Sequence, residues 1–157
     1  MGSISSAWGR SFSALCLVLS ADGGGFLMKI GRFEDIDGWK KGRELTRRVY
    51  TLARRPEFAK DYGLKDQITR ASVSIMNNVA EGFDGGSDAE FVRFLVYSQR
   101  SATEVMSCLY VALDNAYISP SDFNETYALA AETRKLVGGF IKYLKSKTAR
   151  QLGGTKH

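Results

Sequence analysis

Lys40, Arg43, Arg47 and Arg54 recur at intervals of three, four and seven residues, and on a helix that spacing gathers them within an arc of about 60°. A line of cations on one helix face engages phosphate oxygens through charge. Lys41, Arg48 and Arg55 form a separate line at heptad spacing that also reads as pointing away from the core. Near the end of the chain Arg134, Lys135, Lys142 and Lys145 share an arc of about 100°, with Lys147 and Arg150 just beyond. Residues 29 to 60 hold ten basic and five acidic side chains, residues 61 to 118 four and eight, and residues 119 to 157 seven and three. The basic excess is thus concentrated in residues 29–60 and 119–157, around an acidic middle, while residues 1–28 are neutral. A moderate excess of this size permits binding to polyanions without requiring it. The chemistry expected of the two arcs is steeply salt-dependent, weakly sequence-selective binding of RNA or DNA. The competing reading is that they are ordinary solvated cations, or pair with acidic helices of an adjacent subunit.

Covalent chemistry has little to work with. The one histidine is His157 at the terminus, and no nucleophile with a partner base, carboxylate pair or phosphate-cradling glycine loop can be assembled. Gly23-Gly24-Gly25 and Gly85-Gly86 lack a flanking strand and a following Lys-Ser/Thr, and read as linker and turn. Cys16 and Cys108 stand far apart, without metal-ligand spacing. No catalytic residue, metal site or cofactor is expected, and the protein is read as a non-enzyme in a reducing, cytoplasmic setting.

A third constellation is polar and interior. In Ser72 to Gly82, SVSIMNNVAEG, two asparagines stand inside a helical pattern. Against the apolar stripe through Ile68, Ile75 and Val79, Asn77 lies nearly opposite, whereas Asn78 lies about 60° from its centre. Asn78 therefore flanks the core, where its amide must find partners. Ser74 and Glu81 lie a turn away on either side, Arg70 continues the seam, and Gly82 either admits a close backbone or ends the helix. Arg70, Ser74, Asn78, Glu81 and Gly82 are read as a structural lock, within one subunit or between subunits.

The elements that must position these groups are helices. From Ile36 on, four amphipathic patterns cover about residues 37–54, 64–83, 87–116 and 119–147, and no strand is expected there. Ser87-Asp88-Ala89-Glu90 is a capping box, and Ser119-Pro120 sets an N-cap before a first-turn proline. Short connections between such helices favour an all-α, antiparallel up-and-down four-helix bundle. In that order the first and fourth helices are neighbours, so their basic arcs would merge into one surface. On the third helix Val92, Met106, Tyr110 and Tyr117 form a second apolar line beside the core stripe, which suggests self-association. The 157 residues, 44% of them hydrophobic, suffice for one domain. No run approaches the roughly 18 apolar residues of a membrane span. Residues 33–147 are assigned to the bundle and 148–157 to a flexible tail. Residues 1–32 are expected to be an unstructured leader, faintly signal-like, with Met28 as an alternative start.

Arg70-Ala71-Ser72-Val73-Ser74-Ile75 followed by Asn78-Val79-Ala80-Glu81-Gly82 resembles the signature RAAxSIPSNIAEG of the four-helix-bundle proteins named after the 23S rRNA intervening sequence. Trp39-Lys40-Lys41, Val49-Tyr50, Tyr62-Gly63-Leu64, Gln67-Ile68, Glu90-Phe91 and Arg93-Phe94-Leu95 fit the same pattern in order. The chain departs from it at Met76-Asn77, where the family has Pro-Ser, at Asp84-Gly85-Gly86, and at Gln99-Arg100-Ser101. The resemblance implies a bundle that assembles into a ring, typically a homopentamer, with nucleic acid as the suspected ligand. A related branch serves reverse transcriptases as an accessory. The alternative function is accordingly a structural or adaptor oligomer with a protein partner.

Overall fold

The computed structural model describes residues 15–19 and 25–153, with side chains from Ile30 onward. The chain divides between Arg32 and Phe33 into two compact units.

The first unit holds β1 (Leu15–Leu19) and β2 (Gly25–Lys29), an antiparallel hairpin with Leu17 opposite Leu27. An unstructured leader was expected here. Two five-residue runs rich in apolar residues, separated by Asp22 and glycines, carry a hairpin signal that outweighs the linker reading.

The second unit is a helical bundle. A single 3-10 turn, Phe33–Asp35, leads into α1 (Asp37–Ala53), α2 (Pro56–Lys60), α3 (Tyr62–Asp84), α4 (Asp88–Asp114) and α5 (Pro120–Gly153). Four of these five helices are long, where four in all were expected. Pro56 forces Arg55 into an extended conformation and then occupies the first position of the extra helix, α2. That short turn inserts Phe58, fully buried, beneath the stacked ring of Tyr117. Tyr117 in turn donates to Asp61 at 3.2 Å, and Asp61 caps α3 through the Leu64 amide.

At the other end, α5 continues through residues 148–153, which were expected to be tail. Between Lys147 and Gly153 no proline or glycine interrupts the helix, and Lys145, Lys147 and Arg150 favour its negative C-terminal end.

The long helices pack in cyclic order, α1 on α3, α3 on α4, α4 on α5 and α5 back on α1. Position numbers rise along one partner as they fall along the other. Gly42 meets Ile75 while Thr46 donates to the Ser72 carbonyl, and Gly38 meets Val137 while Arg48 reaches Asp122. Gly38 and Gly42 are close-approach positions: an added Cβ at Gly38 would lie 2.8 Å from Val137, which would have to shift, and one at Gly42 would lie a tight 3.0 Å from Ile75. Leu45, Val49, Ile68, Ile75, Val105 and Leu109 fill the middle of the core. The buried hydroxyls of Thr126 and Thr133 bond carbonyls one turn back, so they carry no unpaired polar group into the core.

The second apolar line on α4 is mostly used inside the chain. Met106 and Tyr117 join the core, and Tyr110 packs against Phe123 and Tyr127 of α5, with ring centroids 4.8 and 5.7 Å away. A hydrogen bond to Tyr127 holds the Tyr110 phenol above its ordinary pKa. Tyr110 and Val111 nevertheless stay exposed.

Candidate nucleic-acid interface

The bundle sorts the cations of α1 into two classes. Lys41, Arg48 and Arg55 were expected to point away from the core, but they turn toward α5 and pair with its carboxylates, Lys41 also with Glu44 of α1. Lys41 meets Glu44 at 3.0 Å and Glu132 at 3.6 Å, Arg48 meets Asp122 and Glu125 at 2.9 Å each, and Arg55 grips Asp122 with both terminal nitrogens. Heptad spacing put these residues on one line; facing acids, invisible to periodicity on α1 alone, decided its direction.

Asp122 is the centre of this seam. Its side chain is 14% exposed and also accepts from the Ser119 hydroxyl at 2.7 Å and the Ser119 amide at 3.2 Å, while the Asp122 amide donates back to the Ser119 hydroxyl. One carboxylate therefore closes the cap of α5 and binds α5 to α1. Hydrogen bonds from Arg55, then from Ser119, hold its pKa well below the usual carboxylate range. A depressed folded pKa stabilises the fold fully above pH of about 4, and the contribution is lost as pH falls through the folded value. Asp122→Asn should cost about 1 to 2 kcal/mol at neutral pH and flatten the acid limb of a stability curve measured by urea unfolding from pH 6 to 2.

The other α1 cations face outward. Arg43, Arg47 and Arg54 are exposed and meet no carboxylate among the described residues, whereas Lys40 is paired with Asp37 at 3.3 Å in a 54% exposed position. On α5, Arg134, Lys135, Lys142 and Lys145 are likewise exposed and without ion pairs among the described residues. Gln99 of α4 donates to the Arg134 carbonyl at 3.1 Å and fills the space beside Gly138, which fixes that side of α5 against α4. The α5 arc thus occupies the α4 side and the outer face, while Asp122, Glu125 and Glu132 face α1. The two arcs do not merge: the acidic seam runs between them. Two basic strips result, on separate faces of the bundle.

The polar seam of α3 splits as well. Asn78 is half-buried and donates to the Ser74 carbonyl and hydroxyl at 2.8 and 3.0 Å; the Ser74 hydroxyl lies 2.9 Å from that of Ser101, which donates to the Tyr97 carbonyl at 3.1 Å. These bonds form a chain from α3 into α4. Ser98 adds a parallel tie, donating to the Ile75 carbonyl at 2.9 Å. Ser98 and Ser101 were not anticipated, because a serine on an apolar stripe gives no periodic signal of its own. Arg70 and Glu81 lie outside the lock: Arg70 is 79% exposed and pairs with Asp66 one turn away, and Glu81 is exposed. Gly82 lies against Phe91 and Phe94. Asn77 is exposed. Asn78→Ala should cost about 1 kcal/mol in a thermal melt, against no more than about 0.5 kcal/mol for Asn77→Ala.

Reactive groups are sparse in this arrangement. Burial pushes the Cys108 thiol up in pKa, away from the thiolate a nucleophile needs. No group of three or more potential ligands that could hold a metal ion occurs among the described residues. No helix among them is long and apolar enough to cross a membrane.

Comparison with known proteins agrees with this architecture. A crystal structure at 1.70 Å of a protein of unknown function from the S23 ribosomal protein family of Bacteroides thetaiotaomicron is similar in fold, with a TM-score of 0.62 and 24% identity. The match covers 67% of this chain and 98% of that one. No curated protein matches the chain. The 23S rRNA-intervening sequence protein family matches over residues 34–139, which span the signature on α3, the tie into α4, the α1 strip, and Arg134 and Lys135 of the α5 strip. The chain belongs to the family of 23S rRNA-intervening sequence proteins.

Proposed function

We propose that this protein is a non-enzymatic, antiparallel up-and-down four-helix bundle that binds RNA or DNA through the outward cations of α1 and α5. The carrying observation is the division of labour among cations. Lys41, Arg48 and Arg55 are neutralised within the chain, while Arg43, Arg47, Arg54, Arg134, Lys135, Lys142 and Lys145 stay exposed without carboxylate partners among the described residues. Such cations gain from phosphate contacts through counterion release, and they have no internal pair to give up. Assembly into a ring, the homopentamer that the resemblance implies, would repeat both strips around the assembly and raise avidity without a new contact type. The setting proposed is cytoplasmic, where nucleic acid is at hand.

Mobility shifts with a structured RNA and a duplex DNA at two salt concentrations test this reading. Both ligands should be retarded at low salt and released at high salt, and Lys41→Gln, which removes a cation already paired with Glu44 and Glu132, should leave both shifts unchanged. Absence of any shift at low salt would overturn the reading.

A further inference from the structure

The outer face of α1 carries more than charge. Trp39, Arg43, Arg47, Tyr50 and Arg54 follow one another at intervals of four, four, three and four residues, which places all five within an arc of about 80° along roughly 22 Å of helix. Aromatic rings and cations therefore share one strip. The Arg43 guanidinium lies over the Trp39 ring, 5.9 Å from its centroid, and the half-buried Trp39 also makes an edge contact with Phe33, with ring centroids 5.3 Å apart. Tyr50 is 38% exposed, and its ring makes no contact with another ring or cation among the described residues. Its neighbours Val49, Leu52 and Ala53 fill the core side of the same turns, and Tyr50 stands outside that core.

An exposed ring flanked by unpaired cations suits a ligand with both phosphates and free base faces. In a duplex the base faces are stacked on each other, and a ring on a helix surface has nothing to stack against. In a single strand they are open, and stacking on an aromatic side chain adds to the phosphate contacts. We infer that the α1 strip is a binding site for single-stranded nucleic acid, with Tyr50 stacking an unpaired base between phosphates held by Arg47 and Arg54, and the Trp39–Arg43 pair offering a second platform. This rests on the proposed role of the α1 cations and narrows its ligand class. A strip of about 22 Å matches the shortest single-strand sites, about four nucleotides.

The test is fluorescence anisotropy at low salt with four labelled probes: a 12-nucleotide unstructured RNA, the same sequence as DNA, and each as a blunt duplex. The full-length chain is compared with Tyr50→Leu, Tyr50→Phe and Arg43→Glu/Arg47→Glu, each checked for an unchanged thermal midpoint. The expected result is that single strands bind more tightly than duplexes, that Tyr50→Leu weakens single-strand binding roughly fivefold or more while leaving duplex binding unchanged, and that Tyr50→Phe retains wild-type affinity. The RNA and DNA arms show which strand chemistry is preferred. Duplexes binding as tightly as single strands, Tyr50→Leu behaving as wild type, or Tyr50→Phe losing as much as Tyr50→Leu would each overturn the inference; the basic-face reading would stand if the charge reversal still weakened binding. No binding of any probe would overturn both.

Discussion

Reversing two charges on α1, in the Arg43→Glu/Arg47→Glu chain, is expected to weaken nucleic-acid binding at least tenfold at low salt while moving stability by no more than about 0.5 kcal/mol. Both residues are exposed, and neither meets a carboxylate among the described residues. Their loss breaks no internal ion pair among the described residues, and costs only the exposed contact of Arg43 over the Trp39 ring. Each substitution would remove a proposed phosphate contact and put a repulsive charge in its place, so the effect on a polyanion should exceed that of neutralisation. The same exchange one line over, at Arg48, would strike the seam with Asp122 and Glu125 and unsettle the fold instead. Equilibrium binding at fixed ionic strength, with circular dichroism melts of the same samples, separates the two outcomes.

A second large effect is expected at Gly82. A Cβ built there would lie 2.6 Å from a ring carbon of Phe91 and 2.8 Å from the Phe94 Cβ. Phe91 cannot easily retreat, because it is buried and sits edge-on against Phe83 and Phe140, with centroids 6.2 and 5.2 Å away. Gly82→Val should therefore cost about 3 kcal/mol through overpacking, which for a domain of this size lowers the thermal midpoint by on the order of 10 °C. This glycine was foreseen to admit a close backbone or to end the helix; it admits the side chains of Phe91 and Phe94 instead, and α3 continues two residues past it and is closed at Gly85. By contrast, a Cβ at Gly139 meets nothing within 4 Å.

The spacing of apolar residues was enough to place the long helices and most of the core. Ile68, Ile75 and Val79 stood on the expected stripe of α3, and all are buried. Three kinds of information were out of reach. The direction of the Lys41, Arg48 and Arg55 line depended on acids about 70 to 90 residues away, which only the α1–α5 pairing brings near. The Ser74–Ser101 contact joins two residues 27 apart, neither of which signals a partner in its own helix. Phe58 gave no signal because the first helical pattern stops at residue 54, ahead of Pro56, although proline at a first helical position begins a new turn there. The lock itself was half legible: Asn78 and Ser74 belong to it, and Arg70 and Glu81 share their face of α3 without reaching α4. The merging of the basic arcs failed for the same reason as the first of these. Adjacency of α1 and α5 is correct, but the sides they turn toward each other carry the acids.

The most direct test of the central claim, that unneutralised cations on α1 and α5 form a nucleic-acid surface, is the dependence of affinity on salt. With four or more phosphate contacts, a plot of log affinity against log salt should be linear with a slope of about −3 or steeper, and Arg43→Glu/Arg47→Glu should make it shallower by about two contacts' worth. A slope near zero, or no measurable binding at the lowest salt, would contradict the account.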